Sequence, residues 1–417
     1  MENKLWRKLD NSAKIYPLST GIEYNPIFRL SVILIEKIEI DILRKAVDLA
    51  LLEYEVFKVR LREGFFWHYF EKNNKEPIVE IETDYPCKNI DTKENNDYLF
   101  KITYYKNKIN IDVFHALTDG NGALEFFKEI IYKYLEIKND TVLDKEEKSI
   151  ITAKNAEDSY MENYNKNIKT KRSGKLAYTL KGKTIKSNGV EVNHYIIDVQ
   201  QLKKISKEQG ATISMYLTAM LVYSIYETNY KKYNGKKTIK ICVPINLKKY
   251  FPSNSLSNFF SYMTTETDIK NYRSYTFKDI LNLIKEDYKR NLSKEEIEKT
   301  MVANIKIANN PLLRFVPTIL KQIFVRIGMM GIRRFTTMTF SNLGSIEIKE
   351  EFKKDVKEFW VLIAPESVER IKCSTCSFDN RLVVSFTRIL EDESIENKFY
   401  SLLLENQIKT EIERNGG

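Results

Sequence analysis

The sequence predicts an α+β protein of two lobes, each a mixed sheet with helices, and three observations carry that reading. The chain has 417 residues, more than one domain of roughly 100–200 residues accounts for. It is 43% hydrophobic, 30% charged and 12% aromatic, with 14 Gly and 9 Pro. That composition excludes disordered and collagen-like chains. Strand-like and helix-like segments follow one another irregularly, with hairpins, not as regular strand–helix–strand repetition, and no short-period repeat is visible.

The elements follow in order. Phe28–Ile35 reads as a strand rich in β-branched residues. Asp41–Glu55 reads as a helix with Leu43, Ala46, Val47, Ala50 and Leu51 on one face. Phe57–Arg62 and Phe65–Phe70 suggest a hairpin across Glu63-Gly64, and Leu99–Tyr105 and Lys108–Phe114 a second across Lys106-Asn107. A loop from Thr118 to Gly122 leads to a helix over Ala123–Leu135, with Leu124, Phe127, Ile131 and Leu135 as its buried stripe. Asn139 to Lys186 is polar and breaks the periodicity, so the lobes are expected at 1–165 and 166–417.

The second half restarts with a strand at Val190–Val199 and a helix at Val199–Gln209, for which Gly210 is the C-cap. A long apolar helix from Met215 to Tyr230 has Ser214 or Thr212 as N-cap. Further strands are expected at Thr238–Val243, Thr336–Ser341, Glu358–Ile363, Arg370–Phe378 and Leu382–Thr387, and a closing helix at Glu393–Leu404. Leu312 to Arg334 is apolar and basic. A membrane-surface helix fits that composition, but Pro317, Gly328 and Gly331 interrupt it, and a core helix with a basic outer face is the expectation.

The net charge is +10, unevenly distributed. Residues 1–165 carry 24 basic and 30 acidic side chains, residues 166–417 carry 43 and 27, and Lys299 to Ser345 holds 7 basic residues and no acid. Such asymmetry fits a phosphorylated cofactor, an acidic carrier protein, nucleic acid or a membrane surface. No basic helix, zinc finger or basic cluster interleaved with aromatics supports nucleic acid. No stretch is apolar enough to span a membrane and the N-terminus lacks a signal peptide's apolar core, so a cytoplasmic location is expected. Cys373 and Cys376 form a lone CxxC without the further ligands a zinc site needs, so ordinary thiols and no metal are expected.

Three histidines exist, His68, His115 and His194. His68 and His194 lie within predicted strands and read as structural. His115 stands at the end of one, in Val113-Phe114-His115-Ala116-Leu117-Thr118-Asp119-Gly120. A strand end is a rigid platform, and a neutral imidazole accepts a proton from a hydroxyl or amine near pH 7. Asp119 orients the loop or binds a cation, and Gly120 lets the backbone turn.

His115-Ala-Leu-Thr-Asp119-Gly120 resembles the His-x-x-x-Asp-Gly signature of the chloramphenicol-acetyltransferase-like acyltransferases. That superfamily includes the plant acyltransferases called BAHD, alcohol acetyltransferases and condensation domains of nonribosomal peptide synthetases. Pro17-Leu18-Ser19, Gly210-Ala211-Thr212-Ile213-Ser214, Val243-Pro244-Ile245-Asn246-Leu247 with Asn258-Phe259-Phe260, and Ser341-Asn342-Leu343-Gly344 resemble further stretches in order, chiefly of the alcohol acetyltransferase branch. The plant-type Asp-Phe-Gly-Trp-Gly stretch is absent, which argues against the BAHD branch.

The resemblance implies two chloramphenicol-acetyltransferase-like lobes with an active-site tunnel between them. His115 would be the general base for direct attack of an alcohol or amine on a coenzyme A thioester. Coenzyme A would serve as co-substrate, with no permanently bound cofactor. Asp119 would be structural, paired with an arginine, for which Arg29 is the candidate. Asn342 and Ser345 are possible oxyanion donors, turn-capping being the favoured role of Asn342. Asn258 would contact substrate or cap a turn, the turn being favoured. The alternative is a non-catalytic or condensation-like module that binds an acyl carrier protein.

Overall fold

The computed structural model describes residues 6–21, 24–141, 157–170, 174–186, 189–267, 269, 273–310 and 315–414. Part of the polar stretch between the halves lies outside them. Among the described residues the strands form three sheets.

The first sheet has five strands, in the order Val356–Ile363, Ile27–Leu34, Lys108–Phe114, Phe100–Tyr105, Val79–Ile81. Ile27–Leu34 is buried along its whole length, as its run of β-branched residues requires. The helices Ile40–Glu53 and Gly120–Lys138 pack together against this sheet with the expected apolar faces inward. One strand is exchanged. Val356–Ile363 comes from the second half of the chain and pairs antiparallel with Ile27–Leu34, placing Val361 opposite Leu30.

The second sheet has seven strands, in the order Phe260–Thr264, Ile241–Asn246, Met338–Ser345, Ile371–Phe378, Arg381–Arg388, Glu191–Asp198, Thr410–Arg414. The helix Ile213–Ile225 is buried almost all round in its core. Thr212 caps it, accepting from the Met215 N–H at 3.2 Å. The helix Val199–Glu208 ends in a Schellman turn. Gly210, at φ +63°, donates to the Lys207 carbonyl, and Ala211 to the Ser206 carbonyl, both at 2.9 Å. Cys373 and Cys376 lie three apart on one strand and so face opposite sides of the sheet, one in each large core. They cannot act as a pair. Burial pushes both thiols up.

A small third sheet joins Trp6–Lys8, His68–Lys72 and Val59–Glu63. Its hairpin turns not at Glu63-Gly64 but over Gly64 to Trp67, closed by the Gly64 N–H on the Trp67 carbonyl at 2.9 Å. Phe65 and Trp67 therefore stand in solvent instead of in a strand.

The helix Thr318–Ile332 corrects the expected core helix. Its apolar side chains face water, because the short helix Ile15–Ser19 is its main helical neighbour and no sheet lies over its outer face among the described residues. Among the described residues no helix is long and apolar enough to cross a membrane.

Candidate active site

His115 follows the last residue of Lys108–Phe114. Its N–H donates to the Pro26 carbonyl at 2.9 Å, which holds it against the neighbouring strand. The chain then turns, Leu117 N–H on Phe114 carbonyl at 2.8 Å, and enters the helix Gly120–Lys138 at Asp119. Strand, turn and helix start are consecutive, so short-range geometry fixes the backbone position of His115.

Asp119 is the N-cap. Its Oδ1 accepts from the Asn121 N–H at 3.1 Å and the Gly122 N–H at 3.0 Å. Its Oδ2 accepts from the Phe259 N–H at 2.9 Å, across the seam from the second half. Hydrogen bonds to a charged acceptor contribute roughly 1.5–3 kcal/mol each, so this carboxylate ties the two halves together beside the histidine. Close approach continues at the next turn. Thr118 Oγ1 donates to the Leu256 carbonyl at 2.5 Å, and a Cβ at Gly122 would collide with that same carbonyl. Gly120 is less constrained: a Cβ there would press on the flexible Leu343 Cδ1 at 3.3 Å.

Arg29 does not pair with Asp119. It lies opposite Asp112 in the sheet and binds both oxygens of Asp112, at 2.9 and 2.6 Å, and Glu82. Successive strand residues face opposite sides. Phe28 points to His115, ring centroids 5.1 Å apart, so Arg29 points away. The groove beside Arg29 is lined by Glu80, Glu82, Asp84 and Asp112, each paired with a basic side chain, so Arg29, Lys88 and Lys101 are already engaged there.

His115 is half-buried, and its ring is held on several sides. Tyr16 stacks on it at 4.8 Å and 17°, and Phe260 of the second half lies 5.3 Å away. Nδ1 is 2.9 Å from Asn258 Oδ1. Asn258 Nδ2 and its backbone N–H both donate to Asp10 Oδ2, at 3.0 and 3.2 Å. Once ionised, Asp10 accepts only, and in that form it turns the Asn258 amide with its oxygen toward the ring. With the amide so turned, the ring carries its proton on Nδ1 and keeps a lone pair on Nε2. Among the described residues Nε2 has no hydrogen-bond partner. Burial pushes the histidine below its ordinary pKa, partly offset by the Asp119 charge and the Asn258 bond. Burial also raises the Asp10 carboxyl to about 7 against the pull of Ala13 and Asn258.

Asn258 thus stands behind the imidazole, fully buried with both amide atoms engaged, instead of merely shaping a turn. Asp10 was not among the sequence candidates. It lies 248 positions from Asn258, and an Asp before a short helix carries no signal of its own. Asn342 donates to Ser214 Oγ at 2.7 Å and accepts from the Gly344 N–H at 2.8 Å, the turn-shaping role, with Gly344 at φ +86°. Ser345 ends that strand, exposed. His68 is half-buried in its strand, and His194 is buried in the second sheet.

Residues 163–362 match the family model of alcohol acetyltransferase. A search of curated proteins finds no match. Three solved structures share the architecture. A Fusarium sporotrichioides protein complexed with coenzyme A and T-2 superposes with TM-score 0.63 at 9% identity, covering 97% of this chain and 99% of that one. A trichothecene 15-O-acetyltransferase from the same organism gives 0.61 at 9%, covering 97% and 94%. The first condensation domain of the CDA synthetase gives 0.57 at 10%, covering 96% of each. The chain shares the two-lobed fold of these acetyltransferase and condensation-domain structures, and residues 163–362 carry the alcohol acetyltransferase pattern.

Proposed function

We propose that the protein transfers an acyl group, acetyl in the first instance, from a coenzyme A thioester to an alcohol or amine, with His115 as general base. The observation that carries the proposal is the Nε2 of His115, free of partners among the described residues while Nδ1 is held by Asn258 and Asp10. The acceptor O–H or N–H gives its proton to Nε2 as its oxygen or nitrogen bonds to the thioester carbon. The C–S bond then breaks, and the imidazolium returns the proton to the leaving thiolate. A thioester is already activated, so the site needs a base and positioning more than a covalent intermediate.

Asp119 acts by holding the halves in register, and its charge steadies the imidazolium. The basic second half suits the phosphates of coenzyme A. The test is acceptor-dependent release of free thiol from acetyl-CoA over a panel of alcohols and amines. Thiol release that needs both acceptor and an intact His115 is the expected result; its absence across the panel, or a rate unaltered in His115→Ala, would overturn the reading. The fold shared with condensation domains favours a second reading, a carrier-protein-binding module. That reading predicts binding of an acyl carrier protein without thioester consumption.

A further inference from the structure

The helix Thr318–Ile332 presents an apolar row to solvent. Ile319, Ile323 and Ile327 recur every fourth residue, with Leu320 and Phe324 beside them. Ile319 is 70% exposed, Phe324 60% and Ile327 63%. Phe315, 75% exposed, precedes the helix. The aromatic hairpin turn is bonded to its first turn. The Thr318 N–H donates to the Phe65 carbonyl at 2.9 Å, Thr318 Oγ1 to the Gly64 carbonyl at 2.7 Å, and Lys321 Nζ to the Phe66 carbonyl. Exposed Phe65 and Trp67 thus adjoin the row.

The far end is pinned by Arg333, which is buried over the Tyr24 ring at 4.1 Å and lies 3.5 Å from Glu366. Arg326 donates to the Thr20 carbonyl at 2.8 Å, and Arg334 is exposed. A rigidly held helix with an outward apolar stripe marks an interaction surface, because monomeric soluble proteins rarely expose a large contiguous one.

We propose that this face docks on an anionic lipid bilayer surface. The helix lies in the plane, with its stripe and Trp67 at the boundary of headgroups and acyl chains. The exposed Arg326 and Arg334 side chains then face lipid phosphates. Charge selects this occupant over a second copy. Lys321, Arg326 and Arg334 have no carboxylate partner among the described residues, so a twofold self-contact would set these charges against their own copies. Length agrees too: 15 residues make a helix of about 22 Å, short of the roughly 30 Å hydrocarbon core, so it lies on the bilayer and does not cross it. The inference is independent of the acyl-transfer reading.

The test is co-sedimentation of the full chain with phosphatidylcholine vesicles, with and without phosphatidylglycerol. Binding about tenfold stronger to the anionic vesicles, weakening with salt, is expected. Ile323→Glu and Phe324→Glu should each lose that binding with thermal unfolding unchanged, whereas Leu404→Glu, an exposed apolar site elsewhere, should keep it. Tryptophan emission should shift to the blue on binding, and Trp67→Phe should remove most of that shift. Absence of vesicle binding, binding indifferent to Ile323→Glu and Phe324→Glu, or a wild-type dimer that these variants dissociate would each overturn the proposal.

Discussion

His115 and His194 offer a direct comparison between the two lobes. Each belongs to a β-sheet, each bonds through Nδ1 to a side chain (Asn258 at 2.9 Å, Ser385 at 2.8 Å), and each stacks on an aromatic ring, Tyr16 or Trp360. His194 sits inside its strand, fully buried, and burial with the nearby Lys108 charge lowers its pKa to about 3. His115 sits one residue past its strand, partly exposed, with a carboxyl–amide pair behind it. The two histidines differ in what stands behind Nδ1, an amide backed by a carboxyl for His115 and a hydroxyl for His194, and in burial. Aromatic packing is common to both and decides nothing.

That contrast can be broken or sharpened by substitution. The largest effect is expected for His115→Ala, a loss of roughly 10²–10⁴-fold in acyl transfer rate. Asn258→Ala should cost about 10- to 100-fold in kcat, because the Nδ1–H tautomer is no longer imposed. It should also cost roughly 1–3 kcal/mol in stability from the partners left unpaired; urea unfolding separates the two effects. Asp10→Asn keeps the shape but not the one-way acceptor, and about a 10-fold fall in kcat with little change in KM is expected.

Two further effects are in pH-dependent stability, and their signs are opposite. The His194 pKa is lowered on folding, so the unfolded chain binds its proton first, and stability is lost as pH falls from about 6.5 toward about 3. The Asp10 pKa is raised to about 7, so the folded chain keeps its proton longer, and stability is lost as pH rises from about 4 toward 7. Urea midpoints measured across pH should show the acid slope flattened in His194→Phe and the neutral slope flattened in Asp10→Asn.

The histidine motif was legible because strand, turn and cap lie within about fifteen consecutive residues, and the turn and cap rest on local hydrogen bonds. The buried faces of Ile40–Glu53 and Gly120–Lys138 were legible from their 3.6-residue period for the same reason. The carboxyl–amide pair was not, since Asp10 and Asn258 meet only after both halves fold. Arg29 was misassigned because chain order does not say which face of the sheet its side chain takes, and Asp112 was already directly opposite. The strand Val356–Ile363 reads as a strand anywhere, and only the fold shows that it completes the sheet of the other half. The exposed helix misled because a buried helix and an unpartnered one share the same apolar composition.

The most direct measurement of the central claim runs His115→Ala and His194→Phe side by side in the thiol-release assay with acetyl-CoA and an accepting alcohol. The account predicts a fall of at least about 100-fold for the first and a rate near wild type for the second. Equal rates in the two variants, or a larger loss in His194→Phe while it remains folded, would contradict it.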